Sequence, residues 1–150
     1  MGRLFGTDGV RGIANGTLTC ELAMNIGKAA AIVLTEQGSR RPRFLIGKDT
    51  RISGDMLECA IASGLCSVGA DVMLLGEIPT PAVAFLVRKY EYDAAVMISA
   101  SHNPCEYNGI KIFKGDGYKL PDETEDKIDK IILEKTSVPF VKTGAAVGRT

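Results

Sequence analysis

The chain has 150 residues, the size of one domain with one core, and about 45% of them are apolar. Its 18 basic and 18 acidic side chains balance, which leaves no bulk field to hold a nucleic acid or an anionic membrane surface, so any anion site has to be built locally. No run approaches the roughly 18 apolar residues of a membrane helix, and no apolar stretch follows Met1 to Gly6 as in a signal peptide, so a cytoplasmic protein without a membrane partner is expected.

The chain opens on Phe5-Gly6-Thr7-Asp8-Gly9-Val10-Arg11-Gly12. Its closely spaced glycines let the backbone approach a ligand, and Arg11 offers a forked cation suited to phosphate. The spacing matches neither G-x-G-x-x-G nor a Walker loop. By itself the segment reads equally as a structural turn with Arg11 at the surface.

Residues 19–36 have helical periodicity in Leu22, Ile26, Ala29, Ala30, Val33 and Leu34, with Thr19 as N-cap and Gly38 as stop. Phe44-Leu45-Ile46 reads as a buried strand. Ser53 is placed to cap a helix whose apolar face is Met56, Leu57, Ala60, Ile61, Leu65 and Val68, ended by Gly69. Val72 to Leu75 is the next strand. Thr80-Pro81 supplies a cap and an N1 proline for a helix from Ala82 to Tyr90, and Ala94 to Ile98 is a third buried strand. This alternation, about 25 residues per unit, predicts right-handed βαβ units with a parallel core.

The pattern then changes. Ser99 to Asn108 is polar and turn-rich, and Gly109 to Phe113 reads as a strand. The short connection cannot hold a crossover helix, so this strand is expected antiparallel to the one before it. Asp122-Glu123-Thr124-Glu125 resembles a capping box with Asp122 as cap, opening a helix with Ile128, Ile131 and Ile132 inside and its acidic residues on a solvated face. Periodicity is lost from Lys135, and Thr143-Gly144-Ala145-Ala146 reads as a linker. The expected fold is therefore an α/β, three-layer domain over 1–140 with a mixed, mainly parallel sheet between helices, and 141–150 as linker or start of a further domain. The cysteines, Cys20, Cys59, Cys66 and Cys105, form no C-x-x-C pair and read as small buried residues of a reducing compartment.

Ligands of an open α/β sheet gather beyond the carboxyl ends of its strands. Ser99-Ala100-Ser101-His102-Asn103-Pro104 lies there, and Lys111 comes off the returning strand. A hydroxyl between imidazole and ammonium groups suits phosphoryl handling, because cations hold the incoming anion and offset developing charge. The alternative is a surface loop whose serines and asparagine satisfy local backbone groups.

The segments FGTDGVRG, GKDTRISG, ISASHNP and NGIKIF together resemble the α-phosphohexomutase family over essentially the whole chain, and most closely its bacterial glucosamine-phosphate branch. That resemblance implies a fragment of an isomerase that interconverts glucosamine 6-phosphate and glucosamine 1-phosphate through a bisphosphate intermediate, toward UDP-N-acetylglucosamine and the cell wall. It places the phosphorylated serine at Ser101, next to His102. It puts Lys111 and Arg11 beside the reacting oxygens, with His102 and Asn103 holding the loop and touching phosphate. Thr7 joins the phosphate-binding residues, with Asp8, mainly by shaping the first loop, while Asp49 and Arg51 read as a structural ion pair. Cys105-Glu106-Tyr107 departs from the family pattern.

The resemblance also implies one magnesium ion (Mg2+) per active site, held by the phosphate on Ser101 and by aspartates of a DGDxDR loop. A hexosamine 1,6-bisphosphate is the implied activator. The DGDxDR loop is absent from these residues, so the remaining domains of the same enzyme are implied partners. The fragment alone is expected to be inactive, and a homodimer of the longer form stays open. Competing readings are a phosphomannomutase or phosphoglucomutase, a phosphatase, and a non-catalytic phosphate-binding or interaction module.

Overall fold

The computed structural model describes residues 4–38, 41–134 and 141–150; the loss of periodicity expected over 135–140 lies outside them. The described strands are β1 (Val10–Ile13), β2 (Arg43–Lys48), β3 (Asp71–Glu77), β4 (Ala94–Ile98) and β5 (Tyr107–Lys114). The helices are α1 (Cys20–Glu36), α2 (Gly54–Ser67), α3 (Thr80–Lys89) and α4 (Asp122–Glu134). They form one sheet in the order β1-β5-β4-β2-β3. β2 pairs in parallel with β3 and β4, as the βαβ alternation predicts. β5 returns antiparallel on β4, as its short connection requires.

Period-two alternation sorts the sheet into two faces. Phe44, Ile46, Val96, Ile98, Ile110 and Ile112 point into the main core with α1, α2 and α4. Leu45, Ala95, Met97 and Phe113 point the other way, where Val83 and Val87 of α3 cover them. β4 is buried along its whole length, which is why its sequence is continuously apolar rather than alternating.

Several termini behave differently from their sequence signals. Thr19 caps α1, accepting from Leu22 N at 3.1 Å. Ser53 precedes α2 but makes no side-chain cap bond; its hydroxyl accepts from Asn108 Nδ2 at 2.8 Å instead. α3 starts at Thr80 with Pro79 as cap, one residue earlier than the Thr-Pro signal implies. Asp122 already lies within α4. Glu125 there is 2% exposed and accepts from Lys119 Nζ at 2.8 Å, so the expected capping box is replaced by a partly buried ion pair. Asp129 is also buried, not on a solvated face, and accepts from Leu4 N at 3.2 Å. The cysteines are not core residues: Cys59 and Cys105 are exposed, and Cys20 and Cys66 half-buried.

The opening glycine-rich segment is more ordered than a loop. Gly6 and Gly9 exchange backbone hydrogen bonds around Thr7 and Asp8, and β1 then adds antiparallel to β5. Gly9 has φ +84, and a Cβ there would lie 2.2 Å from the Ile110 carbonyl oxygen. Only glycine lets this turn close onto the sheet.

The segment expected as a linker lies against the domain. Lys142 N donates to Ser67 O, Gly148 N to Cys66 O, and Val72 N to Arg149 O at 2.7 Å. Asp71 fixes it, accepting from Arg41 Nε at 2.9 Å, Arg41 Nη2 at 3.2 Å and Arg149 N at 2.9 Å. Arg41 also donates to the carbonyl oxygens of Ala145 and Val147. No helix among the described residues is long and apolar enough to cross a membrane.

α1 and α2 pack through glycine. A Cβ at Gly64 would lie 2.2 Å from the Met24 carbonyl oxygen, a backbone atom that cannot swing aside. Gly64→Ala gains helix propensity, worth about 1 kcal/mol, yet is expected to destabilise the fold by about 2 kcal/mol net because the helices must part. Urea denaturation measures this, and a stabilised variant would contradict it.

The Arg41 hydrogen bond is the main cause holding the Asp71 carboxyl below its usual range. Its folded pKa is thus lower than its unfolded one. The stabilisation is complete above the ordinary Asp value of about 3.9 and is lost as pH falls through the lower folded value. Asp71→Asn removes the charge at neutral pH. It is expected to speed amide exchange at Val72, Lys142 and Gly148 by about tenfold or more, while core amides stay protected.

Candidate active site

The site grows from the carboxyl ends of β2 and β4. Asp49 N bonds to Ile98 O at 3.0 Å and Ser99 N to Gly109 O at 3.0 Å. The ladder thus carries Asp49 and Ser99 to the base of the serine loop. Pairing of Arg11 with Gly109 and of Met97 with Lys111 places these four residues on the α3 side of the sheet. Gly109 has no side chain to stand between the cations. A Cβ there would meet Ser99 O at 2.7 Å and Arg11 Cγ at 2.9 Å, so its bareness lets the Arg11 stem lie over β5.

A cavity of about 230 Å³ results, lined by Asp8, Arg11, Thr80, Met97, Ser99, Ser101 and Lys111. Three residues singled out in the sequence, Arg11, Ser101 and Lys111, share it although they are far apart in the chain. Asn103 touches its rim, its Oδ1 accepting from Arg11 Nη1 at 3.3 Å. Lys111 Nζ stands 3.9 Å from Asp8 Oδ1, a long contact that leaves the ammonium available. Two cations face one carboxylate, so the cavity favours an anion. Thr7 and His102 are exposed and do not line it.

Ser101 has φ +56, a left-handed backbone that a non-glycine residue adopts at a cost of about 1–2 kcal/mol. The surrounding hydrogen bonds over-determine it. Ser99 Oγ donates to Asp49 Oδ2 at 2.8 Å and accepts from Ser101 N at 3.0 Å. Arg51, expected only as the partner of Asp49, makes that ion pair at 3.1 Å and also donates to the carbonyl oxygens of Ser101, Asn103, Pro104 and Tyr107. Below the loop, Asn108 is fully buried; its Oδ1 accepts from Gly109 N at 2.9 Å while its amide reaches Ser53.

Sequence reasoning missed Thr80 and Met97 as cavity residues. Thr80 arrives from the first turn of α3, through a tertiary approach that no local pattern reports. Met97 and Ser99 carry a period-two signal, lying four and two residues before Ser101. Cys105 is exposed, and its thiol donates to Glu106 Oε2 at 3.3 Å. That bond, together with the larger effect of Glu106's own amide, holds the Glu106 carboxyl below its ordinary range.

The sequence and the fold have counterparts among known proteins. A protein named phosphoglucosamine mutase from Caldanaerobacter subterraneus subsp. tengcongensis is 64% identical over 149 residues, spanning 99% of this chain and 33% of that protein. Another of that name from Clostridium botulinum (strain Kyoto / Type A2) is 60% identical over 149 residues, with the same two shares. The crystal structure of a phosphoglucomutase/phosphomannomutase family protein from Burkholderia thailandensis superposes with a TM-score of 0.79 at 28% identity, covering 97% of this chain and 32% of that one. The chain thus spans about a third of the length of the curated relatives it matches. Residues 2–139 match the family model described as phosphoglucomutase/phosphomannomutase, alpha/beta/alpha domain I. The family model covers most of the chain and the relatives share well over half of its sequence, so the chain belongs to that family and matches its first domain.

Proposed function

We propose that this chain is the phosphoserine-bearing domain of a phosphoglucosamine mutase, with the domain ending near residue 140 and the full reaction requiring the other domains. One observation carries the proposal: the Ser101 hydroxyl lines a single cavity with Arg11 and Lys111. The names of the relatives above favour glucosamine phosphates over glucose or mannose phosphates.

In this reading a phosphoryl group on Ser101 passes to a sugar phosphate. The sugar hydroxyl oxygen bonds to phosphorus and gives up its proton, the bond from phosphorus to Ser101 Oγ breaks, Oγ takes up a proton, and a bisphosphate forms. The bisphosphate turns over and returns its other phosphoryl group to Ser101, so phosphate is conserved. A hexosamine 1,6-bisphosphate would therefore also load an unphosphorylated chain. Arg11 and Lys111 offset charge on the phosphoryl oxygens and on Oγ as it leaves. Asn103 orients Arg11, while Thr7 and His102 would meet phosphate only as the sugar closes over the exposed rim.

The geometry favours Ser101 over Ser99 as acceptor. The Ser99 hydroxyl is committed to Asp49 on one side and to the Ser101 amide on the other. Magnesium fits this domain only as a shared ion. No three His, Cys, Asp or Glu side chains gather as a metal cage among the described residues, and one seryl phosphate cannot fill an octahedral shell. Its remaining ligands would lie in the other domains. A cytoplasmic location suits the proposed nucleotide-sugar precursor chemistry.

Incubation of the intact enzyme with a hexosamine 1,6-bisphosphate, followed by peptide mass spectrometry, is expected to place phosphate on Ser101. Ser101→Ala should abolish the label. Lys111→Met should slow phosphoryl transfer by about 100-fold, in line with loss of one charge-stabilising group. Phosphate on Ser99 with Ser101 unmodified would overturn the assignment.

A further inference from the structure

We propose that Arg51 and Asp49 act as positioning residues for Ser101, each half of the pair holding one of that serine's two peptide groups. This rests on the phosphoryl-transfer reading of Ser101 and extends it to residues outside the cavity lining.

A guanidinium carries five N–H donors, and Arg51 uses all of them. Nε donates to Asp49 Oδ2 at 3.1 Å. Nη1 donates to Pro104 O at 2.7 Å and Tyr107 O at 3.0 Å. Nη2 donates to Ser101 O and Asn103 O, both at 2.9 Å. The side chain is only 10% exposed, and the bonds to Asp49, Asn103 and Tyr107 are partly buried while those to Ser101 and Pro104 lie at the surface. Asp49 completes the device: its Oδ1 accepts from Arg51 N at 3.1 Å, and its Oδ2 takes the Ser99 hydroxyl that receives the Ser101 amide. The N–H of Ser101 is thus tied through Ser99 to the carboxylate, and its C=O directly to the guanidinium. Fixing both peptide groups holds the left-handed φ of +56.

There is an electrostatic consequence. Four carbonyl oxygens between residues 101 and 107 turn toward Arg51, whose guanidinium is not among the groups lining the cavity. Those partial negative charges are thereby satisfied by a partly buried cation rather than left to repel an incoming phosphate. A pair that served stability alone would need one bond between Asp49 and Arg51, not a guanidinium saturated by the loop that carries the acceptor serine.

Arg51→Lys is the direct test, because lysine keeps the charge but has three donors and no planar fork. In the folded 150-residue chain, NMR is expected to show a changed Ser101 amide–Cα coupling and about tenfold faster Ser101 amide exchange, with Ile46 and Val96 unchanged. In the intact enzyme kcat should fall by about 100-fold, as expected for a misplaced reacting group, while KM for the sugar phosphate changes by less than about threefold. Should the lysine variant not fold, Ser99→Ala serves, since it removes the hydroxyl that links the Ser101 amide to Asp49 and leaves the Arg51 donors in place; a drop in kcat of about tenfold with the same loop signature is expected. A folded Arg51→Lys chain with wild-type Ser101 exchange and kcat would overturn the proposal. So would Ser99→Ala with both readouts unchanged. Altered loop signals in a protein whose Ser101 never takes up phosphoryl would instead end the phosphoryl-transfer reading, and with it any catalytic meaning of the clamp.

Discussion

A partly buried guanidinium bonded to the carbonyl oxygens of a surface loop is the constraint around which the candidate site is organised. Loops ordinarily satisfy their backbone with water and pay little for mobility. Here the segment after β4 gives four carbonyls to Arg51, and the sheet fixes where Arg51 starts. The Asp49 amide bonds to the end of β4, so Arg51 follows the ladder by two residues. The rigidity of a parallel sheet is thereby handed to a loop with no regular structure of its own. The left-handed backbone of Ser101 is the local cost, and the saturated guanidinium offsets it.

The two faces of the sheet divide the labour. One carries the larger core beneath α1, α2 and α4, where close helix contact at Gly27 and Gly64 replaces side-chain bulk. The other has a smaller core under α3 alone, and past that helix's first turn it opens into the cavity. Because α3 packs on β2 and β4 and not over β1 and the start of β5, Arg11 and Lys111 keep access to solvent on that face. The missing cover and the functional opening are the same feature.

What was legible in the sequence follows from how local each cause is. Helical periodicity located α1 and α2, the Thr-Pro signal located α3, a continuous apolar run located β4, and the length of the connection alone set the direction of β5. β1 was not legible, because a four-residue strand between glycines has no periodicity and exists only through its pairing with β5. Arg11, Ser101 and Lys111 were legible as members of motifs, and the fold brought them together. Thr7 and His102 belong to the same motifs yet lie outside the cavity, since adjacency in sequence does not fix which way a loop side chain turns. Arg51 was visible only as the partner of Asp49, two residues away. Its four carbonyl partners lie roughly fifty residues on, and backbone acceptors leave no residue-type signature. Ser53 and Asp122 failed as caps for a related reason: Asn108 and Lys119 offered tertiary partners to Ser53 and Glu125.

The cavity's openness bears on what the domain contributes by itself. Charge stabilisation by Arg11 and Lys111 is strong only where water is excluded, since the interaction between charges scales inversely with the local dielectric. Ser101 is exposed, as is the Asp8 side that faces Lys111, so in this chain water has access to the acceptor hydroxyl and to any phosphate placed on it. The domain therefore supplies geometry and cations but not a dry environment. Under the proposed reading, the domains that the longer relatives carry must bring the closing surface as well as the remaining metal ligands. A phosphoserine left uncovered would be open to hydrolysis as much as to transfer. Under that reading, the choice between mutase and phosphatase chemistry is set by what closes over Ser101, while the proposed loop clamp sets only where the phosphoryl group waits.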